Sequence, residues 1–209
     1  FNHFTFKQFN TCNILYLPFF LKYYRRCVNH KLMKLKIIKF KSVQSTNNKS
    51  IKLIQKFKYS SGLVVSEIQT KGKGTMCKKW ISKKGNIFIT IFFKVDFTKY
   101  NIKNFLIMNV KIIKKVLKRY TKKNIIIKKP NDLLIENKKI CGILQEVIEY
   151  NNDKFLITGI GINTFVAPFN KKFIATCLCN HTKKIINNLE IIKNIKNVYE
   201  KMINDLNNN

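Results

Sequence analysis

Acidic side chains and arginine are both scarce in this 209-residue chain: 10 Asp and Glu stand against 41 Lys and Arg, for a net charge of +31. Arginine occurs only at Arg25, Arg26 and Arg119, so the basic excess is almost wholly lysine. Dedicated nucleic-acid readers recruit arginine for bidentate contacts, and its lack argues against a specific nucleic-acid partner. Lys, Asn, Ile and Phe dominate the sequence, and all four have A- and T-rich codons. Surface positions filled with Lys and Asn account for the charge, and non-specific polyanion binding at low salt follows in any case. Histidine is confined to His3, His30 and His181, which leaves Ser-His-Asp hydrolysis poorly supported. The six cysteines include no Cys-X-X-Cys pair. Cys177-X-Cys179-X-His181 has ligand-type residues but lacks a fourth ligand, so we expect reduced, incidental thiols and no metal site. A long apolar run is missing too. Ile14 to Leu21 is broken by Pro18 and falls short of the roughly 20 residues a bilayer needs, so no membrane association is expected.

At 45% hydrophobic, the chain can bury a sizeable core, and one domain with an appendage is the natural prior. Residues 1–32 differ from the rest: they are aromatic-rich, contain no acidic residue and begin with Phe1. Met33 is the first methionine and directly precedes the alternating strand pattern Leu35 to Phe40. We expect native translation to start there, with 1–32 an upstream extension. An organellar targeting segment is the rival, although the Arg- and Ser-rich character of such peptides is lacking. Residues 33–209 hold no repeats or linkers and read as one α+β domain.

Within that domain, Ile51, Leu53, Ile54 and Phe57 share a face of a helix over 49–57, with Asn47 or Asn48 as its N-cap. Leu63 to Ile68 and Ile87 to Phe93 read as buried strands. Phe105, Met108, Asn109, Ile112, Ile113, Val116 and Leu117 recur at helical spacing over 101–120, with Lys103, Lys111, Lys114, Lys115 and Lys118 as the solvated face. Ile125 to Ile127 form a short strand that must turn at Pro130, which pins Lys128 at a strand end. Leu133 to Ile135, Lys139 to Glu149 and Phe155 to Ile162 follow as strands. A terminal helix over 188–206 carries Leu189, Ile192, Ile195, Val198, Tyr199, Met202 and Leu206 on one face.

The stretch Lys128-Lys129-Pro130-Asn131-Asp132, followed by Lys139-Ile140-Cys141-Gly142-Ile143-Leu144-Gln145-Glu146, resembles the central signature of biotin protein ligases. Three more segments occur in the family's order: Ser45-Thr46-Asn47, then Gln69-Thr70-Lys71-Gly72-Lys73-Gly74 running to Trp80, and Gly159-Ile160-Gly161-Ile162-Asn163. Ala175-Thr176-Cys177-Leu178 resembles a fifth, weaker one. The resemblance implies a mixed, mostly antiparallel sheet covered by helices, like the catalytic core shared with class II aminoacyl-tRNA synthetases. It implies ATP-dependent biotinylation of a carrier lysine through biotinyl-5′-adenylate, with Mg²⁺ on the triphosphate.

Lys128 is then the catalytic cation, since a carboxylate and a phosphate repel as they approach. The resemblance places Ser45, Thr46, Asn47, Gln69, Gly72, Lys73, Gly74 and Gly142 around biotin. It places Trp80, Lys128, Asn131, Asp132, Lys139 and Asn163 around ATP. Gly142 would let biotin approach the strand, and Gly159 and Gly161 would leave room for a nucleotide. The implied partners are biotin, ATP and the biotin carboxyl carrier protein of acetyl-CoA carboxylase, in the cytoplasm, with a homodimer left open. The family usually has Arg after the second loop glycine and a further Gly two residues later. Thr75 and Cys77 stand there instead, from which we expect faster escape of the adenylate. Neither the C-terminal β-barrel nor the N-terminal DNA-binding domain of some relatives is expected. The other readings are a lipoate or octanoate ligase of the same superfold, a degenerate ligase, and a non-catalytic basic RNA-binding module.

Overall fold

The computed structural model describes residues 32–76, 78–169 and 173–208. The chain divides into two units, Phe1–Met33 and Lys34–Asn209, and every element below belongs to the second. The expectations for residues 1–31 lie outside the described residues, as does that for Cys77.

One seven-stranded sheet runs in the order β1-β2-β3-β7-β6-β5-β4. Its strands are β1 (Ile37–Val43), β2 (Ser61–Gln69), β3 (Ile87–Lys94), β4 (Ile125–Lys128), β5 (Asp132–Ile135), β6 (Lys138–Tyr150) and β7 (Asp153–Ile162). Only β1 and β2 pair in parallel, so the sheet is mixed and mostly antiparallel, as the resemblance implies. Among the described residues three helices cover it: α1 (Thr46–Phe57), α2 (Ile102–Leu117) and α3 (Asn188–Asn208). Because helices lie on both faces, β3 is buried from Ile87 to Phe93 and shows no polar alternation beyond Thr90.

On one face, Leu53 and Ile54 of α1 pack on Val64, Phe92, Phe155 and Ile157. On the other, Phe105 of α2 meets Phe93 edge-on, with ring centroids 6.5 Å apart. Asn101 caps α2 by accepting from the Lys103 N–H at 2.8 Å, which fixes the helix start expected there. No helix among the described residues is long and apolar enough to cross a membrane.

Two helices depart from the expected patterns. The first begins at Thr46, with Ser45 as an extended N-cap, so neither Asn47 nor Asn48 caps it. Its Phe57 is 63% exposed, because Lys58 turns left-handed (φ 53°) and closes the helix back onto Leu53 and Ile54. In α3 the buried arc is Ile191, Ile192, Ile195, Tyr199 and Ile203. Leu189 is 63% exposed instead of buried, because a 3.6-residue arc through Ile195 and Tyr199 passes it by.

The corner carrying Lys128 forms as the sequence requires. Lys128 pairs with Asp132 across the β4–β5 hairpin, and the Lys129–Pro130 peptide between them is cis. Asn131 ties the corner to β6: its Nδ2 donates to the Ile143 carbonyl at 2.6 Å, and its own carbonyl accepts from the Ile143 N–H at 3.0 Å.

Candidate active site

The site lies on the α1 face of the sheet, where β6 and β7 meet, and is divided into an inner cleft and an outer cavity. The helix start presents Ser45, Thr46 and Asn47, all buried, at a point where backbone amides have no intrahelical partner. One such amide is met by Gln69: its Oε1 accepts from the Thr46 N–H at 2.8 Å and from the Thr46 hydroxyl at 3.0 Å. The Gln69 Nε2 then donates to Ser82 Oγ at 3.2 Å. Asn47 is fixed at both ends. Its Nδ2 donates to Glu146 Oε2 at 2.6 Å and to the Leu144 carbonyl at 3.4 Å, while its Oδ1 accepts from the Thr90 hydroxyl at 2.6 Å. The amide rests on Gly159, where a Cβ would come within 2.3 Å of Oδ1. Gly159 therefore makes room for Asn47, which fills the place expected for a nucleotide.

The Gly72-Lys73-Gly74 loop folds on itself. The Gly74 N–H donates to the Lys78 carbonyl at 2.7 Å and the Trp80 N–H to the Gly72 carbonyl at 2.9 Å. This turn carries the indole of Trp80 into a trough on the sheet made by Gly142 and Gly161, which pair across β6 and β7. A Cβ at either glycine would lie 2.6 Å and 2.4 Å from the ring, respectively. Gly142 and Gly161 thus seat an aromatic wall on the sheet, and both also line the inner cleft. Gly72 lines neither compartment; its missing side chain lets the loop close, since a Cβ there would sit 2.6 Å from the Trp80 carbonyl.

The inner cleft is lined by Ser45, Thr46, Asn47, Gln69, Lys73, Gly74, Thr75, Trp80, Asn131, Asp132, Lys139 and Gly142, among others, and its free volume is about 40 Å³. That is space for about one water molecule. The outer cavity is about 1000 Å³ and brings Lys128 and Asn163 together with Gly74, Thr75, Trp80, Asp132 and Lys139. The last five of these line both compartments.

Lys139 stands at the junction. Its Nζ lies 2.8 Å from Asp132 Oδ1, with the two side chains 19% and 23% exposed, and sits 5.2 Å from the ring centroids of both Trp80 and Phe173. Lys128 is exposed at its strand end, lines the outer cavity and has no carboxylate ion pair among the described residues. Two buried polar atoms lack a hydrogen-bond partner among the described residues at this place, Trp80 Nε1 and Asn163 Oδ1. Leaving such an atom unpaired costs about 1–3 kcal/mol, so both suit a ligand that supplies the missing partner.

No group of three or more His, Cys, Asp or Glu that could hold a metal ion occurs among the described residues. The Cys177 and Cys179 sulfurs are 3.1 Å apart, but His181 turns instead to Thr176, with 2.7 Å between Nε2 and the hydroxyl. Burial, followed by the hydrogen bond with Cys179, pushes the Cys177 thiol up to about 11, away from the thiolate that a metal needs.

Reading by motif passed over Glu146, Thr90 and Ser82 as site residues. For Glu146 a signal existed, since strand alternation puts 142, 144 and 146 on one face. Ser82 and Thr90 become partners only through the fold.

Residues 38–163 match the Biotin/lipoate A/B protein ligase family. The chain is 31% identical over 149 residues to the bifunctional ligase/repressor BirA of Bacillus spizizenii, covering 68% of this chain and 46% of that protein. It is 27% identical over 123 residues to BirA of Escherichia coli, covering 58% and 38%. The chain thus spans about half the length or less of these curated relatives. Among solved structures, the biotin protein ligase of Aquifex aeolicus in complex with biotin and ATP aligns with a TM-score of 0.65 at 27% identity, over 81% of this chain and 69% of that one. The Leishmania major biotin protein ligase in complex with biotinyl-5-AMP shares the fold, with a TM-score of 0.68 at 21% identity over 82% and 75%.

Proposed function

This chain belongs to the Biotin/lipoate A/B protein ligase family, and from that premise we propose that it joins biotin to a carrier lysine at the expense of ATP. In the first step a carboxylate oxygen of biotin attacks the α-phosphorus of ATP, and the bond to pyrophosphate breaks. In the second a lysine amine attacks the acyl carbon of the mixed anhydride, AMP leaves, and the amine proton passes to solvent. The observation that carries this reading is the shared wall. The inner cleft, whose helix-start wall carries neutral donors and acceptors, and the outer cavity, to which Lys128 adds an amine, meet at Trp80 and Lys139.

Each compartment suits its guest. The Ser45, Thr46 and Gln69 groups can both donate and accept, which is what the neutral ureido ring of biotin requires. Lys128 and Lys139 flank the junction where two anions must approach, and a fixed positive field there lowers the barrier without reorganising. Asn163 Oδ1, buried and unpaired, suits the exocyclic amine of adenine. Mg²⁺ belongs with the triphosphate as part of the nucleotide substrate; the described residues build no cluster to hold it by themselves. The carrier partner on this reading is the biotin carboxyl carrier domain of acetyl-CoA carboxylase, met in the cytoplasm.

With the inner cleft at about 40 Å³, biotin on this reading requires the cleft to widen around it, and the loop carrying Trp80 is the wall that would move. The test mixes the full chain with biotin, Mg-ATP and an apo carboxyl-carrier domain and weighs the carrier. A mass gain of one biotin is expected. No gain with biotin, or a gain with lipoate alone, overturns the reading.

A further inference from the structure

One acidic side chain reaches both the helix start and the loop that covers the cleft. Glu146 Oε2 accepts from Asn47 Nδ2 at 2.6 Å, and Glu146 Oε1 lies 3.8 Å from Lys73 Nζ in the glycine-flanked loop. In a chain with 10 acidic residues against 41 basic ones, a carboxylate at this spot is not surface averaging. We propose that Glu146 is a positioning residue that sets the orientation of Asn47 and clasps the Trp80-bearing loop over the cleft. This rests on the proposed biotin-joining function for its consequence, though not for its geometry.

The orientation follows from hydrogen-bond chemistry. An ionised carboxylate can only accept, so it compels Asn47 to present its NH₂ to β6. The Asn47 carbonyl oxygen is thereby turned to Thr90 and the cleft above Gly159, with one lone pair left for an N–H of a guest. Without the carboxylate, the amide can rotate and offer a donor where an acceptor is needed.

The clasp is the weaker half. Lys73 and Glu146 side chains are 43% and 30% exposed, and ion pairs of that kind shift an equilibrium by only about twofold to fivefold. The short bond to buried Asn47 has the larger effect, because its loss leaves a buried donor unmet.

Glu146→Ala, Glu146→Gln and the control Glu149→Gln, which removes a charge from the exposed end of the same strand, separate the two roles in the full chain. Biotin binding is read from the fluorescence of Trp80, the single tryptophan, and KM and kcat for biotin from the rate of pyrophosphate release. Loop opening is read without ligand from hydrogen exchange at the Gly74 and Trp80 amides. We expect Glu146→Ala to raise the KM for biotin about tenfold with kcat changed less than about twofold, and to speed exchange about threefold. Glu146→Gln, whose amide oxygen can still accept from Asn47, raises KM by much less than Ala while speeding exchange as much. Glu149→Gln changes neither. Equal KM for Ala and Gln overturns the orienting role, and unchanged exchange in Glu146→Ala overturns the clasp. A wild-type chain that ignores biotin sinks the proposed function, and the exchange arm still decides the clasp.

Discussion

The two faces of the sheet around β6 and β7 are built on opposite rules. On the α2 and α3 side, Asn109 Nδ2 donates to Gln145 Oε1 at 2.9 Å and to Thr158 Oγ1 at 3.2 Å, and its Oδ1 accepts from the Tyr199 hydroxyl at 2.9 Å. Gln145 Nε2 completes the set by donating to the Ile102 carbonyl at 3.0 Å. Tyr199 is fully buried, and burial raises both its hydroxyl and the neighbouring Cys141 thiol well above their ordinary values. Around Asn109 this side is neutral, closed and satisfied. On the α1 side the same strands supply glycines, a carboxylate, a loop-borne indole and unpaired polar atoms. A satisfied network specifies one packing. An incomplete one leaves bonds for a guest, so stability and binding are held on opposite sides of a single layer.

The comparison can be broken most sharply at Lys128. Lys128→Ala should lower adenylate formation by about 10³-fold while leaving Tm unchanged, as read by pyrophosphate release and thermal unfolding; a large fall in Tm with activity retained reverses the assignment of faces. The converse change is Asn109→Ala, which strands the Tyr199 hydroxyl and the Gln145 amide. It should cost about 3 kcal/mol in urea unfolding. Gly161→Ala sharpens the picture of the trough: a methyl 2.4 Å from the indole must displace it, at about 1–3 kcal/mol. Emission from Trp80 should then shift to the red, and an unshifted spectrum would mean the ring does not rest there.

Alkali should attack the closed side. Burial raises Cys177 from 9.0 to about 11, raises Tyr120 above 10.0 with help from its hydrogen bond to Glu190, and raises Cys141 and Tyr199 too. The folded chain therefore keeps protons that the unfolded chain releases. The stability they contribute is complete below about pH 9 and is lost as pH rises from there through the folded values, so Tm should already fall between about pH 9 and about pH 11. A flat Tm over that interval would contradict the sealing of this face. The smallest effect belongs to Thr75, which lines both compartments. Thr75→Arg should slow release of the adenylate by about threefold in a single-turnover assay.

Much of the layer structure could be read from the chain alone, because it is local. The unbroken Ile87–Phe93 run, the Pro130 corner and the Asn101 cap each carry their cause in adjacent residues. The site was legible as a set of residues but not as an arrangement. The resemblance placed Trp80 near adenine, and no local pattern showed that packing lays it on two glycines 62 and 81 positions downstream. Asn109 read as one member of an apolar stripe and proved to be the hub of a polar network, since its partners come from β6, β7 and α3. Phe57 and Leu189 show the opposite error: apolar character was taken for burial at residues near helix ends that lie off the buried arc.

The indole at the junction is a partition between two rooms, and it is hung on a loop instead of being mortared into the floor. Because that one ring borders both rooms, its placement on the two glycines fixes the dimensions of each at once.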